Sequence, residues 1–125
     1  MAYGSDVLQT RDHGERMMAE EATYIQVMTT TDQEQEATML ADLLLEARLA
    51  ACVQIVGPIT SRYWWQGEVE QATEWLCVIK TTRRLLDRLV ATLQDAHSYD
   101  VPEITATPIV GGNPAYLEWI GAETE

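Results

Sequence analysis

The sequence predicts an α+β fold built on an antiparallel sheet, and three observations predict it. Alternating β-formers and apolar residues at helical spacing succeed one another as strand, helix, strand, strand, helix, strand. Turn-forming residues separate these runs at short intervals. The 125 residues, 46% of them hydrophobic, suit one domain with one core.

The first 22 residues carry Gly4, Gly14 and mixed charges without periodicity, and read as a disordered leader or tag before a domain over 23–125. Tyr24 to Thr30 alternates and is rich in β-formers, which predicts a strand. Asp32 followed by Gln35 predicts a helix start, with Asp32 as cap and Gln35 reaching back. Ala37, Leu40, Ala41, Leu44 and Ala47 then form one apolar stripe that runs to about Arg48. Cys52–Val56 and Ile59–Trp65 are extended runs with a bulge or bend expected at Gly57-Pro58. Gln66-Gly67-Glu68 supplies a turn into a strand reaching Thr81, so the middle of the chain is a long hairpin. A turn centred near Gly67 would set Cys52 opposite about residue 82. Leu85, Leu86, Leu89, Val90 and Leu93 mark a second helix capped near Thr81 or Thr82. Ile104–Val110 is a last strand with Pro108 near its end, and Ala115 to about Ala122 a short terminal helix.

This order is the split βαβ, or ferredoxin-like, arrangement. Two right-handed crossovers place both helices on one face of a four-stranded sheet and leave the other face uncovered. The hairpin carries Tyr63, Trp64, Trp65 and Trp75, which one chain leaves partly wet. An exposed apolar face of this kind marks an interface, so the sequence predicts an oligomer.

Composition narrows the function. The net charge is -12, from 20 acidic and 8 basic side chains, and Lys80 is the only lysine. That balance opposes nucleic-acid binding, which takes its affinity from Lys and Arg on phosphates. No run approaches the roughly 20 apolar residues of a membrane helix. The polar first twenty residues do not read as a secretory signal. The two cysteines lack C-x-x-C spacing, which excludes a metal-chaperone loop and suits free thiols in the cytoplasm. A hydrolase on this fold wants an arginine and an amide cradle after the first strand, where Thr30-Thr31-Asp32 offers an acid instead. No Ser-His-Asp or Cys-His pairing is evident, and no catalytic residue is assigned.

A family resemblance rests on several segments in order. These are Leu49-Ala50-Ala51-Cys52-Val53-Gln54-Ile55; Ile59, Ser61, Tyr63-Trp64-Trp65 and Gly67; Glu74 and Ile79-Lys80-Thr81; His97, Tyr99 and Pro102-Glu103-Ile104; and Tyr116-Leu117 with Trp119-Ile120. Together they resemble the CutA divalent-cation tolerance family over about residues 23–122. The resemblance implies a homotrimer with a fold like the PII signalling proteins, clefts between subunits, and a role in tolerance of copper and other divalent cations. Some members carry a cysteine near the end of the first strand and two adjacent histidines before the tyrosine; here those positions read Met28 and Ala96-His97.

Candidate ligand-binding residues are Glu74, Lys80, Glu103, Tyr116 and Trp119. Glu74 and Lys80 lie an even number of positions apart on one strand and share a sheet face, where a carboxylate and an ammonium suit a charged small ligand. A cross-strand ion pair is the plainer role for them. Tyr116 and Trp119 suit a pocket wall, and the other aromatics suit packing. His97 and Cys52 are the candidate metal ligands, copper being the candidate ion. The plainer roles are a histidine at a helix C-terminus and a small buried hydrophobe. The expectation is a non-enzymatic homotrimer that binds a small molecule or metal ion, with a structural scaffold or a small hydrolase as alternatives.

Overall fold

The computed structural model describes residues 22–125, so the leader expected over 1–22 lies, apart from Ala22, outside the described residues. Strands β1 (Tyr24–Thr31), β2 (Cys52–Trp65), β3 (Glu68–Thr82) and β4 (Ile104–Pro108) form one sheet. Its order is β2-β3-β1-β4, and every neighbouring pair is antiparallel. Helices α1 (Glu34–Glu46) and α2 (Leu86–Ala96) are the two crossovers, and α3 (Pro114–Glu123) ends the chain. The predicted α+β, ferredoxin-like architecture is the one observed. Among the described residues no helix is long and apolar enough to cross a membrane.

Strand alternation puts Ile25, Val27, Thr29 and Thr31 of β1 and Cys77, Ile79 and Thr81 of β3 under the two crossover helices. Ala37, Leu40, Ala41 and Leu44 of α1 meet them, with Leu85, Leu89 and Leu93 from the segment leading into α2 and from α2 itself. Each fully buried leucine contributes about 1.5–3 kcal/mol relative to an exposed one. Trp75 packs against this core as well.

Helix boundaries differ from the sequence pattern in instructive ways. Asp32 does not cap α1: β1 continues through Thr31, and Gln33 occupies the cap position without a side-chain bond. The helix stops at Glu46 because Arg48 adopts a left-handed φ of 58°. Leu49 N–H donates to Leu44 O and Arg48 N–H to Leu45 O, which is the Schellman closure that glycine usually provides. Ahead of α2, a single 3-10 turn (Arg83–Leu85) starts at Thr82, whose hydroxyl does not cap it. β4 ends at Pro108, two residues short of the expected limit. α3 starts at Pro114, where Asn113 Oδ1 accepts from Ala115 N–H at 3.1 Å.

The hairpin closes through Gln66 (φ 50°) and Gly67 (φ 81°), the two-residue turn that matches strand twist. Val56 faces Leu76 and Ile59 faces Glu74, so Gly57 and Pro58 together oppose Trp75. This is the expected bulge. A Cβ on Gly57 would stand 2.3 Å from Trp75 Cδ1, so only glycine lets the indole lie against the strand. The tight turn and the extra bulge residue set Cys52 opposite Lys80, where the sequence suggested about residue 82.

The second face of the sheet is not bare, as the topology alone implied. Ile120 of α3 is fully buried, and Gly121 sits against the Tyr24 ring. Arg48 holds Glu123 at 2.8 Å and Arg88 holds Glu125 at 2.8 Å, while Glu125 N–H donates to Arg48 O. These contacts lay α3 over one end of that face. The other end, and the projecting hairpin, stay open.

Candidate functional site

The structure sorts the predicted site residues into two groups along β3, one at its middle around Glu74 and one near its C-terminal end around Lys80. Glu74 and Lys80 share strand parity, but six residues of extended chain, about 20 Å, separate them. They do not form one site within a chain.

The first group lies where α3 crosses the sheet. Cys52 and Lys80 are register partners on the face away from α1 and α2, and Gln26 flanks Lys80 on the other side. The Lys80 ammonium donates to Gln54 Oε1. Tyr116 reaches down from α3 so that its phenol contacts the Cys52 thiol; burial first, and then Cys52, hold that phenol above its ordinary pKa. Tyr116 and Trp119 lean together with ring centroids 5.5 Å apart and planes 31° from parallel. Each ring keeps about two-fifths of its surface open to solvent. An ammonium, a thiol and two aromatic faces thus meet in one patch. Gln54, which the sequence offered only as part of a strand, orients the ammonium.

The second group is a clasp. The Tyr99 N–H donates to His97 Nδ1 at 3.0 Å, so Nε2 carries the ring proton and donates to Thr30 O at 2.9 Å. Both nitrogens of this buried imidazole are engaged inside the chain. The Tyr99 hydroxyl donates to Glu74 Oε2 at 2.8 Å, and burial followed by that carboxylate drives the phenol strongly upward in pKa. Glu36, in the first turn of α1, accepts from Ser98 N–H at 2.7 Å, from Ser98 Oγ at 2.8 Å and from Thr31 Oγ1. Burial alone would raise its pKa; the Thr31 and Ser98 bonds outweigh it and leave the carboxyl below its ordinary value. Glu36, Ser98 and Tyr99 were not singled out from sequence as site residues. A carboxylate in the first helical turn after a threonine-rich strand end was the available signal.

Glu103 is exposed and joins neither group. Cys77 is buried under α1, and burial, then Glu36, pushes its thiol up to about 11. Among the described residues no three His, Cys, Asp or Glu side chains converge as a metal site.

Comparison with known proteins agrees with this architecture. The family model described as CutA1 divalent ion tolerance protein matches residues 25–123. "Protein CutA 1, chloroplastic" of Oryza sativa is 45% identical over 100 residues, covering 80% of this chain and 56% of the relative. "Divalent-cation tolerance protein CutA" of Thermus thermophilus is 45% identical over 98 residues, covering 78% of this chain and 95% of the relative. The chain therefore spans about half the length of the rice protein and nearly all of the bacterial one. A crystal structure of CutA1 from Oryza sativa superposes with TM-score 0.81 at 42% identity, over 86% of this chain and 97% of that one. The Thermus thermophilus structure gives TM-score 0.80 at 43% identity, over 82% and 99%. With sheet order, hairpin and family match all in accord, the chain belongs to the CutA1 divalent ion tolerance protein family.

Proposed function

We propose that this chain is a homotrimeric binding or sensing protein of divalent-cation tolerance, with copper as the leading cation, and that it works by binding rather than turnover. One observation carries the reading: the apolar surface that a single chain leaves uncovered. Trp64 and Trp65 are 75% and 60% exposed, and Tyr63, Val56 and Val69 are exposed beside them. Surface of that size favours burial against further copies of the same chain. Clefts between copies would then border the Cys52, Lys80, Tyr116 and Trp119 patch, where a small ligand or ion is held.

The donors that one chain brings together do not fit a copper centre. His97 has both nitrogens engaged, and Cys52 is not joined by two further ligands. A copper site on this protein therefore draws donors from more than one copy, with Cys52 as its soft ligand. The cytoplasm, which keeps both thiols reduced, is the compartment that suits the chain.

Native mass spectrometry with calorimetry on the same sample tests the reading. A trimer that gives heat and a thermal shift with copper, zinc or a nucleotide supports it. A stable single chain, or a trimer silent to all of them, overturns it.

A further inference from the structure

We propose that Lys80 anchors the carboxylate of a small aromatic monoanion, whose ring lies against Tyr116 and Trp119. This rests on the reading that the patch beneath α3 holds a ligand, and it names that ligand's class.

The argument begins with charge. Acidic side chains outnumber basic ones 20 to 8. Arg48 and Arg88 each hold a carboxylate at 2.8 Å. Lys80 is the only lysine, is half-buried in the sheet, and faces the neutral amide of Gln54. Among the described residues no carboxylate pairs with it. An amide oxygen returns less to an ammonium than an oxyanion does. An ammonium has three N–H donors, and Gln54 accepts from one. In a chain so rich in acid, the half-buried cation without one is the group a ligand's oxyanion completes.

Shape gives the rest of the ligand. Cys52 stands directly across from Lys80, at about 5 Å between Cβ atoms, and the Tyr116 phenol touches the Cys52 thiol. The tilted Tyr116–Trp119 pair therefore offers ring surface within one small molecule's reach of the ammonium. A flat apolar body suits that surface. A single charge suits the setting, since a second would meet the field of a chain at -12.

Benzoate and its neutral counterpart benzamide, titrated calorimetrically into the full-length assembled protein, test the proposal. Benzoate is expected to bind, with benzamide at least about tenfold weaker, as loss of a charge-assisted hydrogen bond implies. Lys80→Met should weaken benzoate by at least about tenfold. Trp119→Ala should weaken it by about three- to tenfold through lost ring contact. The benzamide comparison needs no variant and holds even if Lys80→Met misfolds. The proposal is overturned if benzamide binds as well as benzoate, if a folded Lys80→Met retains the affinity, or if benzoate gives no heat up to its solubility limit. Inorganic phosphate binding as tightly as benzoate would overturn the aromatic class. Native mass and copper calorimetry on the same preparation separate the two readings: a trimer that binds copper but not benzoate sinks this inference alone, and a monomer silent to every ligand sinks both.

Discussion

Thr29 is fully buried, yet its hydroxyl has no hydrogen-bond partner. Its neighbours solve the same problem: Thr31 donates to Glu36, and Thr81 donates to Leu49 O at 2.7 Å. An unpartnered buried hydroxyl costs about 1–3 kcal/mol, and valine has the same shape without that cost. Thr29→Val is expected to raise stability by about 1 kcal/mol in urea titrations. Glu36 gives a pH dependence instead. Its pKa is lower in the folded chain than the ordinary 4.5, so the folded state binds fewer protons there than the unfolded state. The resulting stability is fully present above that ordinary value and is lost as pH falls through the lower folded one. Denaturation midpoints between pH 7 and 3 should therefore fall more steeply for the native sequence than for Glu36→Gln. The same scale shows what sequence conceals. His97 read equally as ligand or as structural side chain, because residue type does not reveal that Tyr99 and Thr30 take both nitrogens.

Elements were legible wherever periodicity was strong. The stripe from Ala37 to Leu44 and the one from Leu85 to Leu93 both became buried faces, because each repeats at helical spacing. Ends were less legible, because the usual marks are missing. α1 closes on Arg48 rather than glycine, and neither α1 nor α2 has a side-chain cap bond. The bulge was legible from Gly57-Pro58, but its effect on register was not, since pairing depends on how many residues oppose Trp75. Gly57→Ala is expected to destabilise by about 1–3 kcal/mol, because the new methyl must displace the Trp75 indole. Near-ultraviolet circular dichroism of Trp75 with thermal melts checks it, and an unchanged spectrum and melting temperature would contradict the close approach. The placement of α3 was also hidden from sequence. It depends on Ile120 finding the core and Gly121 the Tyr24 ring, contacts distant along the chain.

At the scale of the whole molecule, topology followed from element order, and the candidate site did not. Element order with right-handed crossovers leaves few ways to arrange four strands, so β2-β3-β1-β4 was predictable. Which chemical groups meet depends on spacing along β3, which puts Glu74 at mid-strand and Lys80 six residues further on, near the strand's end. Charging the projecting hairpin tests assembly. Trp64→Glu with Trp65→Glu should shift the protein to smaller species in native mass spectra while leaving far-ultraviolet circular dichroism unchanged, since both side chains are exposed in the single chain. An unaltered mass would remove this surface from the interface. The clasp around residues 97–99 has a last consequence. It fastens the root of the long ribbon to the start of α1 through Tyr99, Ser98 and Glu36. The connection before β4 thus acts as a strut that aims the ribbon. Adding or deleting a residue there would swing the distant tip sideways and change which neighbour it can reach, without altering any side chain at the tip.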